Sequence, residues 1–509
     1  VAQPPYDRSV LTHIARRAAR EFADTTAYVT EAGLAITYSQ LDTAADETAA
    51  GLMKMGVAEQ SVVALVMPST IDYVVCYLAL SRLGAVTAGV NPRFRPREIK
   101  ACLHRIHPDL VLVSDGLAGA VAANHPTSTI TIGDTNETIA ASVRLAGAPP
   151  APTLPPDDDR PVCICFTSGS TGDPKGAWFT NRQLRAIAEL DTGGAWGGGG
   201  HGISPTQFAH VGFMTKLPWL LSGGRTTHLL DRWSAGPVLE LVSRHRMSAV
   251  TGVAPQIALM LRHPSFDALD FDCVKAIVVG GAASSPALVR EARQRFGAGY
   301  SIRYSSTESG GVGLATDPGA DDEEALHTIG RPRPGVEARV VDSADRPVPT
   351  GEIGELVIRS PAVMSGYWND PVATSQALVN GWLHTGDLAS VDSDGLFRLA
   401  GRLKEMFIRG GYNVYPMEVE SVLIEHPAVS EIVVVPRADA VMGEVGVAVV
   451  APMPGMSPPS LEELRSFGSP YLSHHKLPEH LVVIDSLPRN ASDKVDRRTL
   501  AMSVAATLS

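Results

Sequence analysis

The stretch Cys165-Phe-Thr-Ser-Gly-Ser-Thr-Gly-Asp-Pro-Lys-Gly176 constrains this chain more than any other. It follows a compact apolar run, Val162 to Phe166, whose length and flanking breakers predict a buried strand. The loop then gathers Gly169, Gly172 and Gly176, the hydroxyl residues Thr167, Ser168, Ser170 and Thr171, and a single lysine, Lys175. Glycines let a backbone approach an anion closely, and exposed amides and hydroxyls hydrogen-bond phosphate oxygens. Lys175 adds a point charge. These residues predict a cradle for a polyphosphate. A Walker A loop is excluded by spacing, because Lys175 is followed by Gly176 and Ala177 where that motif needs Ser or Thr directly after the lysine.

A chain of 509 residues exceeds what one compact core organises, so at least two domains are expected. Its net charge of -11 speaks against nucleic acid as the main partner, since a phosphate-backbone binder needs a basic face. The five cysteines follow no disulfide or zinc spacing. Cys163 and Cys165 point to the same side of the predicted strand and read as packing. A reduced, cytoplasmic setting fits this usage. Arg82 interrupts the longest apolar run, so no transmembrane segment is predicted.

The first part of the chain alternates helix and strand patterns. Leu41 to Met55 reads as a helix ending at Gly56, Ser61 to Met67 as a strand, and Asp72 to Leu83 as a helix stopped by Gly84, before a strand to Val90. Short links between such elements imply right-handed crossovers and a parallel sheet. Asn181 is the expected cap of the helix after the phosphate loop. Gly193 to Gly202 is mostly glycine and predicts no regular element. Beyond residue 405 the patterns change to those of a small α+β unit. Helices are expected over Pro416 to His426 and Leu461 to Phe467, and strands over Glu431 to Val435 and Val445 to Val450.

The Cys165–Gly176 loop is similar, almost letter for letter, to the phosphate loop of the adenylate-forming superfamily, which includes acyl-CoA synthetases, coumarate-CoA ligases, luciferases and peptide-synthetase adenylation domains. Further motifs follow in that family's order: Arg303-Tyr-Ser-Ser-Thr-Glu308, Trp382-Leu-His-Thr-Gly-Asp387, Gly401-Arg-Leu-Lys404 and Leu487-Pro-Arg-Asn-Ala-Ser-Asp-Lys494. The resemblance implies an α/β fold with a large ATP- and acyl-binding domain of parallel and mixed sheets over 1–400. It implies a hinge over 401–405 at Lys404, and a small mobile α+β domain over 406–509. ATP would meet Thr167, Ser168, Gly169, Ser170, Thr171, Gly172 and Lys175, then Gly281, Ala282, Ala283, Tyr304 and Thr307, and finally Asp387, Arg402 and Lys494. Glu308 would hold Mg2+, for which one carboxylate beside phosphate and water oxygens suffices. Asp387 would accept both ribose hydroxyls, and Lys494 would be the catalytic lysine, acting with Lys175, Thr307 and Glu308. An acyl pocket would be built from His210, Gly252, Gly280, Gly281, Ser305, Ser306 and Val312. Gly410, Gly411 and Tyr412 would line the CoA tunnel.

Two departures matter. Ser305 stands where the family has a glycine beside the acyl pocket, and Asp493 replaces the glycine that precedes the catalytic lysine. The small pocket residues, with no arginine or lysine evident to pair a second carboxylate, favour an apolar acid. The leading expectation is an ATP-dependent acid:CoA ligase, whose partners are a small carboxylic acid, ATP and CoA, with room for a homodimer. An acyl-AMP ligase loading a carrier protein and a catalytically impaired homologue are the alternatives. The insertion usual in carrier-loading enzymes is not seen between Gly354 and Asp387, and no carrier domain is evident by Ser509.

Overall fold

The computed structural model describes residues 10–122, 128–132, 140–167, 174–204, 207–281, 284–489 and 495–507. At its centre lies a seven-stranded sheet. In spatial order its strands are Gly366–Tyr367, Gly176–Thr180, Pro161–Phe166, Val86–Gly89, Val62–Val66, Leu110–Ser114 and Thr129–Ile132. From Pro161–Phe166 onward the neighbours run parallel, while Gly176–Thr180 returns antiparallel to it. The phosphate loop therefore joins two antiparallel strands. A second sheet holds Ala249–Gly252, Ala276–Gly280 and Gly299–Tyr304 in parallel, extended by two short antiparallel strands. A third is antiparallel and contains Gly354–Arg359, Trp382–Val391 and Phe397–Arg402. This mixed α/β body with a smaller α+β unit after it is the architecture expected.

Local chemistry accounts for the element ends. Thr37 and Gln40 form a capping box at the start of helix Tyr38–Lys54, which satisfies two otherwise orphaned amides. Helix Ile71–Leu83 starts on the Thr70 side chain and ends at Gly84, whose φ of 68° lies in the left-handed region that glycine adopts without strain. Every residue of this helix except Asp72 is buried, so it is a central pillar rather than an amphipathic surface helix. The charge that interrupts it, Arg82, is only 3% exposed. Its guanidinium pairs with Asp42 and lies 2.6 Å from Asp46. Removing one member of a buried pair strands the other charges and typically costs about 3–5 kcal/mol. Arg82→Ala is therefore expected to lower unfolding stability by about that amount, read as a shift of the urea midpoint; a change under ~1 kcal/mol would show that Arg16, 3.0 Å from Asp46, compensates.

Two expectations need correction. The cap of helix Asn181–Thr192 is Thr180, in a capping box with Gln183, and the Asn181 side chain instead donates to the Asp157 carbonyl. The glycine-rich stretch is not irregular to its end, because His201–Ile203 forms an edge strand parallel to Thr226–Leu229. A triplet is too short to show a period, and its partner strand is what orders it.

In the small unit, strands Val429–Asp439 and Gly443–Pro452 form a long antiparallel hairpin, with His480–Val483 added in parallel. Both faces of this sheet are apolar. Ile432, Val434, Ala448 and Val450 pack with Leu423 and Leu464 from two helices. Val433, Val435, Val447 and Val449 pack with Leu500 and Val504 of the final helix, Arg497–Thr507. Among the described residues no helix is long and apolar enough to cross a membrane.

Candidate active site

Strand pairing brings the first group of candidates together. Asp387 and Arg402 are register partners on neighbouring antiparallel strands, and Arg402 Nε lies 2.8 Å from Asp387 Oδ1. Tyr304, at the end of strand Gly299–Tyr304, donates its hydroxyl to Asp387 Oδ2 at 2.6 Å. Burial, and then the Asp387 carboxylate, push the Tyr304 pKa well above its ordinary value, so the phenol stays a donor at neutral pH. Asp387 is itself buried. A carboxylate has about four acceptor sites, so it keeps acceptor capacity beyond Tyr304 and Arg402.

A second group forms around a residue to which the sequence assigned no role. Tyr367 belongs to a two-residue strand whose partner is Ala177, immediately past the phosphate loop. Its hydroxyl donates to Glu308 Oε1 at 2.7 Å, while Lys175 Nζ stands 4.8 Å from its ring centroid, a cation–π distance. Burial and the Glu308 carboxylate raise the Tyr367 pKa. Tyr367 thus joins Glu308 to Lys175, and Glu308 retains a second carboxylate oxygen. Thr167 anchors the loop base through its amide, which donates to the Lys175 carbonyl at 2.9 Å. Thr307 sits in the turn before Gly310, whose amide donates to the Thr307 carbonyl. Ser168, Gly169, Ser170, Thr171, Gly172, Ala282, Ala283 and Lys494 lie outside the described residues.

The acyl-pocket candidates are spread over several elements. A Cβ on Gly280 would stand 2.9 Å from the Arg303 carbonyl oxygen, and Gly281 has φ of 78°; both positions require glycine. A Cβ on Gly252 would meet Gln256 Oε1 at 2.7 Å. His210, just before helix Val211–Met214, has its Nε2 2.9 Å from Asn91 Nδ2, so Asn91 donates to it. Ser305 is exposed and Ser306 half-buried, whereas Val312 is fully buried in the main core.

A largely buried basic residue packs beside Gly311, the chain neighbour of Val312. Lys216 lies against Gly311, with its Cε 3.0 Å from where a Gly311 Cβ would be. It pairs with Asp191 at 2.8 Å, and Arg333 reaches the same carboxylate at 3.0 Å. Arg303 points to the face opposite Tyr304, by strand alternation, and feels the charges of Arg333, Asp191 and Lys216. Burial pulls the pKa of both Lys216 and Arg303 down. Two cations, Lys216 and Arg333, thus share the Asp191 carboxylate, and Arg303 lies within their electrostatic reach. Lys216 and Asp191 are 25 residues apart, and no local spacing announces the pair.

In the small unit, Gly410 and Gly411 have φ of 55° and 88° and turn a tight hairpin between Phe407–Arg409 and Tyr412–Val414. Two positive φ values at the centre of a two-residue turn explain why both are glycine. Tyr412 is exposed and stacks on His475, with centroids 4.7 Å apart. Lys404 is exposed in the turn after Arg402, where the Arg402 carbonyl accepts from Glu405 and Met406. Across this border Glu405 lies 3.4 Å from Arg497.

Comparison with known proteins places the chain in a family. Residues 15–368 match the family model for AMP-binding enzymes, and residues 418–494 match that for the AMP-binding enzyme C-terminal domain. The chain is 31% identical to the fatty acid–[acyl-carrier-protein] ligase ScoC of Streptomyces coeruleorubidus, over 92% of this chain and 91% of that protein. It is 33% identical to a feruloyl-CoA synthase of an Amycolatopsis species, over 92% and 94%. Among solved structures, the amide bond synthetase McbA of Marinactinospora thermotolerans superposes with a TM-score of 0.86 at 27% identity, over 97% of this chain and 99% of that one. The chain therefore belongs to the AMP-binding enzymes, the adenylate-forming superfamily, in its acyl-CoA synthetase branch.

Proposed function

We propose that this protein is an ATP-dependent acid:CoA ligase that converts a carboxylic acid to its acyl-adenylate and then to a CoA thioester. The observation that carries this reading is Tyr367, which draws Glu308 and Lys175 into one cluster at the base of the phosphate loop. In the first half reaction a substrate carboxylate oxygen attacks the α-phosphorus, and the bond to the pyrophosphate oxygen breaks. Such chemistry needs positioning and charge neutralisation more than covalent help. Lys175 and Thr307 would hold the departing pyrophosphate. Glu308 offers the free carboxylate oxygen that fits Mg2+, and Mg2+ when bound supplies further neutralisation there. Asp387 would hold the ribose, steadied by Tyr304 and Arg402, and Lys494 would bridge the reacting carboxylate and phosphate. In the second half reaction a thiolate attacks the acyl carbonyl, and AMP leaves.

Two contacts cannot occupy one site together, so we assign Lys404 as the hinge that exchanges Lys494 for the Gly410–Gly411 turn, within domains 1–400 and 406–509. The relatives differ in acceptor, with CoA, carrier-protein and amide-forming activities among their names. The deciding assay measures pyrophosphate release for a panel of acids, then product with free CoA. Thioester formed only with a carrier protein would overturn the CoA assignment, and no pyrophosphate with any acid would overturn the adenylation reading.

A second reading concerns the acid. The Lys216–Asp191–Arg333–Arg303 cluster supports a substrate with a polar or anionic group distal to its reacting carboxylate, rather than a plain fatty acid. A charge-assisted hydrogen bond contributes about 1.5–3 kcal/mol, or roughly 10–100-fold. Arg303→Met is expected to cost that factor in kcat/KM for such acids and to spare apolar ones of equal length. Uniform loss across the panel would assign Arg303 a structural role only.

A further inference from the structure

Three histidines given no role above meet on the large domain. His201 stands opposite Thr226 where its edge strand pairs in parallel with Thr226–Leu229, so it shares a face with His228, two residues further along. His245 caps the C-terminus of helix Ala235–Arg244 and brings its ring to the same place. His201 Nδ1 and His228 Nε2 are 2.9 Å apart. The His201 and His245 ring centroids are 4.0 Å apart, and those of His228 and His245 are 4.6 Å apart. One ring nitrogen from each lies within 4.8 Å of the other two. All three are half-buried, which leaves a side open to solvent.

We propose that His201, His228 and His245 form a binding site for a borderline divalent transition metal of the Zn2+ class. Three imidazoles without a carboxylate or thiolate suit Zn2+, Co2+, Ni2+ or Cu2+ and not Mg2+ or Ca2+. Zn–N bonds of about 2.0–2.1 Å in a tetrahedron place ligand nitrogens roughly 3.3 Å apart. The His201–His228 nitrogens need only part slightly to reach that spacing, with the rings turning about their soft terminal torsion. The proton shared in their hydrogen bond moves to the donor ring's other nitrogen, so each histidine remains neutral and no net proton is lost. Burial and the two neighbouring imidazoles already lower the His228 pKa to about 4, which keeps its lone pair available. The helix C-terminus at His245 carries the partial negative charge that favours a cation. Arg244 opposes it, but its side chain is exposed and 3.8 Å from Glu240. The fourth position would be water. A bound ion would staple the helix end to the strand that leaves the glycine run Gly193–Gly200.

The test uses the full chain without an affinity tag, stripped by a chelator that is then removed. Co2+ is titrated and followed by its visible d–d absorption, and Zn2+ then competes it off. One equivalent of Co2+ with such bands is expected for the unaltered protein. At roughly 100 times Kd, Zn2+ should raise the unfolding temperature of the large domain by about 2–5 °C. His245→Ala should weaken binding at least ~10-fold, while pyrophosphate release stays unchanged as a check on folding. His201→Asn combined with His245→Ala should abolish the bands. No d–d bands in the unaltered protein, or equal Co2+ affinity in His245→Ala, would overturn the site.

Discussion

Asp387→Ala is expected to lower kcat/KM for ATP by about 10²–10³, most of it in KM. Asp387 takes the Tyr304 hydroxyl at 2.6 Å and Arg402 Nε at 2.8 Å, and is the proposed acceptor for two ribose hydroxyls. Hydrogen bonds to a charged group contribute about 1.5–3 kcal/mol each. The ribose does not change during the reaction, so its contacts act equally in ground and transition states and their loss falls on KM. The variant also leaves Tyr304 without its acceptor, at a cost of about 1–3 kcal/mol in folding. Steady-state kinetics should therefore be paired with urea unfolding. A fall mainly in kcat, with KM unmoved, would remove Asp387 as the ribose holder.

Lys494→Ala is expected to depress adenylation at least as strongly, while thioester formation from preformed acyl-adenylate persists. The argument is chemical: negative charge builds where the carboxylate meets the α-phosphate, and removing one preorganised donor there typically costs about 10²–10³ in rate, roughly 3–4 kcal/mol. The two half reactions, measured separately on one preparation, decide the matter. Equal losses in both would reduce Lys494 to a general role, and undiminished pyrophosphate release would end its assignment.

What could be read without coordinates depended on whether the signal was local. Helix Ile71–Leu83 was legible because its stop, Gly84, is adjacent to it and its apolar run is continuous. The hairpin after the phosphate loop was missed because Gly176–Thr180 is too short to show alternation. Tyr304, Glu308 and Asp387 were found through the motifs of the family, not through any periodicity. Their contacts could not be: Tyr304 and Asp387 lie 83 residues apart, and Tyr367 and Glu308 lie 59 apart. Tyr367 carried no assigned role, because its meaning depends on the acid it meets. Lys216 and Arg333 were overlooked for the same reason, since their shared carboxylate, Asp191, comes from a helix elsewhere in the chain. His201, His228 and His245 follow no ligand spacing, and only the pairing of an edge strand with its neighbour brings the first two together.

The two apolar faces of the small unit's sheet carry a consequence for handling the protein. Val433, Val435, Val447 and Val449 have Leu500 and Val504 as cover from the final helix. Cleavage ahead of Arg497 would leave the opposite face packed and the hairpin paired, yet strip a row of valines bare. Such a surface, rich in β-branched residues, is a template for aggregation. Limited proteolysis that trims this helix should therefore yield material that keeps its strands but falls out of solution.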